Sequence, residues 1–399
     1  MQIRNMKKIG IITFCNCMNY GAELQAYALQ KKLNLMGADA EVIHVEKEKG
    51  VLESSLRTIS NAIIKRYKMY GIIKGTIKTK ELIENKLALK KTLKSNIDKI
   101  KEKKVIFDDF WNTFIRHSEK YYTLEELRDV KRLPYDTIVA GSDQIWNYMQ
   151  TRYLDVFFLK FANNFGARKV GYAGSFSVEK IPFHLQSVYK PLIENLDAIS
   201  VREDSGVKIV EECSNAKALQ VLDPTLLIKS DEWVDYIANP DYLPDDKKFV
   251  VIYTLSGSRY IYDLARRIGH QLGIDVLNIK NNFAHSKGSE GIKNLYDVGP
   301  REFISVFNHA AYVITDSFHG TAFSINFNIP FTTLLNPVSN FNERALSLLR
   351  MTNTMDRLIY DDGNNKVPND LKIDFESIMK KINNWRDLSV DFIKKEILA

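Results

Sequence analysis

Ten residues, TDSFHGTAFS at 315–324, crowd a histidine, serines, threonines and a glycine between an apolar run at 310–314 and a stretch with helical spacing. His319 then stands one or two residues inside a helix start. The first N–H groups of a helix lack partners and its dipole end is positive, so anions, phosphate above all, bind there. Asp316, Ser317 and Thr321 can cap the helix or hydrogen-bond an anion, and Gly320 would let a ligand approach the backbone. Two readings stand: an anion site, or a capped helix with His319 packed beside it. A helix N-terminus disfavours imidazolium, so an empty site expects a neutral His319. A bound phosphate dianion reverses that and would make the ring a general acid.

Three further stretches carry polar groups on strand ends. SVREDSG (200–206) puts Arg202 at the top of a strand, either as a forked anion clamp or paired with Glu203 or Asp204. AGSDQIWN (140–147) places Asp143, Gln144, Trp146 and Asn147 on an expected strand-to-helix turn. Polar groups beside an aromatic suit a sugar; the alternative is an Asp143 cap with Trp146 in the core. NYGAELQ (19–25) follows the first strand, and Gly21 there permits a positive φ or a close backbone approach. It is no G-x-G-x-x-G, and the chain has no Walker A, H-E-x-x-H or G-x-S-x-G motif. Cys15, Cys17 and Cys213 make no disulfide framework, and C-x-C without further ligands does not point to metal.

The elements that must position these residues alternate strand and helix twice over. The first series begins with a strand in KKIGIITF, a loop, a helix from Glu23 to about Met36 and a strand in ADAEVIHV. The second begins at KKFVVIYTL and ends past the strand PFTTLL. That pattern predicts two α/β domains with parallel sheets, and a ligand cleft beyond the carboxyl ends of the strands. The 399 residues suit two domains, and 45% hydrophobic with 26% charged residues is a globular composition. No apolar run approaches the roughly 20 residues of a membrane span. The start lacks the small-residue cleavage site of a signal peptide, so a cytoplasmic protein is expected. Charge is uneven: 61–104 holds 14 Lys/Arg against four acids, a net +10, which leaves −3 for the rest of a chain of net charge +7. Such a segment meets an anionic surface or is a solvated helical face. It lacks nucleic-acid recognition motifs, so no nucleic-acid partner is expected.

Taken in order, GIITFCNCMNYGAELQAYALQKKL, VAGSDQIWN, GYAGSF, ISVREDSGVKIV, VLDPTLLI, ITDSFHGTAFSINFNIPF and NERALSLL resemble the polysaccharide pyruvyl transferase family over about residues 8–349. The resemblance implies an α/β protein of two Rossmann-like domains facing a cleft, GT-B-like, with 52–131 as a basic helical insertion. The expected division is 1–198 for the acceptor side, 199–372 for the donor side and 373–399 for a C-terminal helix. It also implies transfer of the pyruvyl group of phosphoenolpyruvate to a sugar as a cyclic ketal, with no cofactor. On that reading Arg202, Ser317, His319, Gly320, Thr321 and Arg344 hold phosphoenolpyruvate. His319 protonates its methylene carbon and Asp143 accepts a hydroxyl proton. Asn19, Tyr20, Gly21, Gln144, Trp146 and Asn147 face the acceptor, a sugar on a lipid carrier, with the basic segment near anionic lipid at the inner membrane face. The competing functions are a glycosyltransferase of the same shape using a nucleotide sugar, and a non-catalytic polysaccharide-assembly protein.

Overall fold

The computed structural model describes residues 6–45, 96–244, 247–280, 288–339, 341–363, 366–368 and 370–399. Most of the basic segment, 52–95, lies outside them. Strand β1 (Lys8–Ile12) is fully buried after its first residue and runs into α1 (Tyr20–Leu35). Asn19 caps α1 by accepting from the Gly21 and Ala22 amides, which starts the helix three residues earlier than its apolar spacing predicts. Gly37, at φ +91, turns the chain into β2 (Asp39–Val42). Helices α2 (Ile97–Phe114) and α3 (Leu124–Asp129) follow. The former buries Phe107, Phe110 and Trp111 against the first half, so the described end of the predicted insertion is part of the core.

The chain continues through β3 (Thr137–Ala140), α4 (Leu154–Phe157), β4 (Arg168–Gly174), α5 (Phe183–Ile193), β5 (Ala198–Val201), α6 (Asp204–Cys213) and β6 (Leu219–Gln220). Six parallel strands pair in the order β2-β1-β3-β4-β5-β6. The expected boundary at 198/199 is therefore wrong. Val201 of β5 pairs with Gly174 of β4 and with Gln220 of β6, so the first sheet keeps about twenty residues more than predicted. ISV has the apolar content of any buried parallel strand, and nothing in it says which sheet it joins.

After α7 (Ser230–Ile237) the second sheet takes β7 (Phe249–Tyr253), β8 (Val276–Ile279), β9 (Lys293–Leu295), β10 (Ala310–Thr315), β11 (Phe331–Leu335) and β12 (Leu358–Tyr360). Its order is β12-β11-β10-β7-β8-β9, again parallel. Helices α8 (Arg259–Leu272), α9 (Pro300–Asn308), α10 (Phe318–Asn326) and α11 (Glu343–Thr352) flank it.

The halves share one apolar cluster that runs from Ile9 and Leu24 to Phe303 and Phe331. Tyr20 stacks on Phe303 across the seam at 4.8 Å, and its hydroxyl donates to the Val298 carbonyl. The last long helix, α12 (Phe375–Phe392), returns to the first half: Arg386 donates to the Leu226 carbonyl, and Ser389 accepts from the Leu222 amide. Both sheets thus end their strands toward a common cleft with a fixed spacing between them.

Candidate active site

The turn after β10 folds as its sequence predicts. Ser317 occupies the N-cap position and His319 the second helical residue of α10. The polar side chains around it do different work from that expected. Ser317 makes no side-chain cap; its hydroxyl bonds with Tyr253. The Asp316 carboxylate accepts from the Leu255 and Ser256 amides and the Thr254 and Ser256 hydroxyls, which fixes the loop after β7. Thr321 is buried, its hydroxyl shared with the Ser317 carbonyl and the Thr333 hydroxyl. At Gly320 an added Cβ would lie 2.1 Å from Thr315 Oγ1, so that glycine lets α10 pack on β10. The Gly320 Cα and the Thr321 hydroxyl are thus committed to packing inside the second half.

His319 is only 6% exposed, and Nε2 has no hydrogen-bond partner. That nitrogen lies 3.9 Å from Asp223 Oδ2. Burial above all, then the charges of Arg202 and Arg344, push the ring down to about 4, against the pull of Asp223 and Asp143. The direction is the one expected for its place at a helix N-terminus, but burial is the main cause. Gly21 packs against its other face: a Cβ there would come within 2.0 Å of Nδ1. At this point α1 can therefore approach the histidine only through a residue without a side chain.

Arg202 is buried, and of its two sequence readings the pairing with Glu203 is present. Nε donates to Glu203 and Nη1 to Asp223 at 2.9 Å, while Nη2 has no partner. Its guanidinium lies 4.2 Å from the centre of the Phe318 ring. Asp204 turns away to Arg350. Arg344, at the start of α11, brings a second guanidinium whose Nε is buried and unpartnered. Burial first, and then repulsion from Arg202, lower it to about 10. Glu203 accepts from Ser175, and burial raises its carboxyl although Arg202 opposes this. Burial would likewise raise Asp223, but His319, Arg202 and its bonds from Thr225 hold it below the usual range. Asp143 is buried at φ 78 and acts by its charge on Arg202, His319 and Arg344.

Sequence reasoning missed Asp223 and named Glu203 only as an ion-pair partner of Arg202. Asp223 joins Arg202, Ser142, Thr225 and His319, drawing together three separate stretches. Its signal was Asp-Pro directly after the last strand of the first sheet, the place where a strand end meets the cleft. The acceptor assignments fare worse. No helix follows GSDQIWN until Leu154. Trp146 is fully buried, stacked on Phe158 and bonded to the Phe157 carbonyl, and Gly171 and Gly174 exist to admit its ring. Asn147 is buried and accepts from the Met149 amide; Tyr20 is locked in the seam; Asn19 caps its helix. Of the six expected acceptor residues, Gln144 is the one lining the cleft, and Gly21 serves His319.

Arg202 Nη2, Glu203 Oε2, His319 Nε2 and Arg344 Nε are each buried without a hydrogen-bond partner, whereas buried polar groups ordinarily have one. The model of the family described as polysaccharide pyruvyl transferase matches residues 19–337. The chain belongs to that family. This transferase of polysaccharide biosynthesis has a GT-B fold. Among solved structures it is similar to a co-structure of S. aureus MnaA with UDP, at 12% identity and TM-score 0.51, over 98% of this chain and 90% of that one. It is also similar to Acinetobacter baumannii MurG, at 11% identity and TM-score 0.43, over 98% and 99%. Likeness at such identity speaks for the fold alone. Among curated proteins none matches. No helix among the described residues is long and apolar enough to cross a membrane.

Proposed function

We propose that the protein transfers the pyruvyl group of phosphoenolpyruvate onto two hydroxyls of a sugar, forming a cyclic ketal and releasing phosphate. The observation that carries this is the pair of buried arginines, Arg202 and Arg344, each with an unsatisfied nitrogen and close enough to repel. Glu203, Asp223 and Asp143 offset their charge in part, and the unpartnered nitrogens remain as donors for an anion of a substrate. Phosphoenolpyruvate brings two, a phosphate and a carboxylate. In the scheme they neutralise the guanidiniums and raise the His319 pKa, so the imidazole charges as substrate arrives.

The charged His319 gives its proton to the methylene carbon, leaving an oxocarbenium-like centre at C2. One sugar hydroxyl adds to C2 and loses its proton to a carboxylate, for which Asp143 remains the candidate. The C2–O bond to phosphate then breaks, the bridging oxygen leaves with phosphorus, and the second hydroxyl takes its place and loses its proton to His319, which is neutral after the first step. Side chains handle every proton here, so the scheme calls for no cofactor. The acceptor is a sugar of a polysaccharide precursor, on a lipid carrier in the fullest form of the proposal. Lys103, buried in the seam, would take no part in contact with anionic lipid.

The test is turnover of phosphoenolpyruvate carrying heavy oxygen at the bridging position. Label in the released phosphate is expected. Label kept in free pyruvate would mean P–O cleavage and would overturn the reading. A glycosyltransferase would instead be stabilised against melting by a nucleoside diphosphate and not by phosphoenolpyruvate.

A further inference from the structure

The cleft beside Arg344 is larger than a three-carbon donor needs. One hollow of about 420 Å³ lies over the carboxyl ends of β7, β10, β11 and β12, with Gln144, Phe318, Phe341, Asn342, Arg344 and Asp361 on its walls. A second, of about 440 Å³, shares Ser339 and Asn342 with it. Tyr148, Val178 and Lys180 from the first half and Leu346 and Tyr360 from the second enclose this extension. Each hollow alone reaches the size of a small-molecule site, ~300–1,000 Å³, so together they form a groove for something longer than one sugar ring.

The walls select among ligands. Carboxylates outnumber cations: Asp316, Asp361, Glu179 and Glu343 stand against Arg344 and Lys180. Asp316 is saturated by four donors, Asp361 accepts from Ser258 and Glu343 pairs with Arg350, so none needs a cation from a ligand. A nucleoside diphosphate would add negative charge to a wall already negative. A neutral, hydroxyl-rich ligand meets the amides of Gln144, Gln150 and Asn342 and the Ser256 hydroxyl. Phe341 and Tyr360, 37% and 38% exposed, offer faces for the C–H side of sugar rings. Arg344 and Phe318 belong to both this groove and the donor site.

We propose that the joined hollows are the acceptor groove and that it takes an uncharged oligosaccharide of two or more sugars. The proposal rests on the pyruvyl-transfer reading, from which the sugar beside Arg344 is the one modified. The remaining sugars run past Asn342 toward Tyr360. This places the acceptor between the two halves, away from the loop after β1.

The experiment uses the full chain on a glycan array of uncharged mono- to tetrasaccharides, followed by Kd measurements on the glycans retained. The same proteins are melted with and without phosphoenolpyruvate. Binding that strengthens from mono- to tetrasaccharide is expected. Phe341→Ala and Tyr360→Ala should each weaken it about tenfold, the loss typical of one contact anchor, with the phosphoenolpyruvate melting shift unchanged. Binding that ignores both substitutions, does not grow with chain length, is displaced by UDP, or is absent from every glycan would overturn the groove. A wild-type protein unmoved by phosphoenolpyruvate, whose oligosaccharide binding is still lost in both variants, would strike the donor assignment and leave the groove standing.

Discussion

His319 carries the clearest consequence of the site's electrostatics. Its ring is buried beside Arg202 and Arg344 and is lowered to about 4, and in the proposed scheme a bound anion raises it again. Binding of phosphoenolpyruvate near neutral pH should therefore draw a fraction of a proton from solution. Calorimetry in buffers of different ionisation enthalpy reads that uptake directly, and His319→Gln should abolish it; equal uptake in both proteins would place the proton elsewhere. The same substitution should lower kcat by roughly 10²–10⁴, the usual worth of a general acid. Asp223 acts through its neighbours. Asp223→Asn removes the charge that supports imidazolium and leaves Arg202 Nη1 without its carboxylate. A kcat loss on the order of tenfold to a hundredfold is expected, with the acid-dependent limb of the pH–rate profile moved to lower pH. A profile that keeps its position would reduce Asp223 to a structural bond. Arg202→Lys should weaken phosphoenolpyruvate binding in titrations, because a single ammonium cannot serve Glu203, Asp223 and a ligand at once.

At the scale of elements, a strand end and a helix start meet at His319 from opposite halves, and Gly21 sets how closely. Gly21→Ala keeps a good helix former in the first turn of α1, yet its Cβ would overlap the His319 ring. The variant should melt near wild type and turn over at least about tenfold more slowly, as expected when a reacting group is displaced by a fraction of an ångström. Full activity would show that the ring has room to move. The sequence makes β10 and α10 legible because an apolar run, a polar turn and helical spacing follow one another within seventeen residues. It also makes the two parallel sheets legible through alternation. The turn at 141–147 was not legible, since a short polar stretch after a strand looks alike whether it starts a helix or not. Asp143 adopts a left-handed backbone there and Trp146 fills the space left by two glycines on β4. Those glycines are two residues of seven in a strand, and only the packed sheet reveals what they admit.

For the whole molecule, the seam decides whether the halves keep the spacing the site requires, and Lys103 lies inside it. The side chain comes from α2 in the first half and is 1% exposed. Its ammonium donates to the Lys280 carbonyl of the second half at 2.7 Å and lies 4.8 Å from the centre of the Tyr20 ring. Burial lowers it from 10.5 to about 7, with Asp297 opposing. The unfolded chain therefore binds more protons than the folded one between about 7 and 10.5. Stability must rise with pH across that window and be lost as pH falls toward the lower value. Lys103→Met keeps the length of the side chain without the titration. Melting temperatures of wild type and variant, taken from neutral pH to about 10, should converge or cross, with the wild type gaining on the variant throughout. Parallel profiles would mean that Lys103 stays charged in the fold, and that the carbonyl and ring around it hold an ammonium rather than an amine.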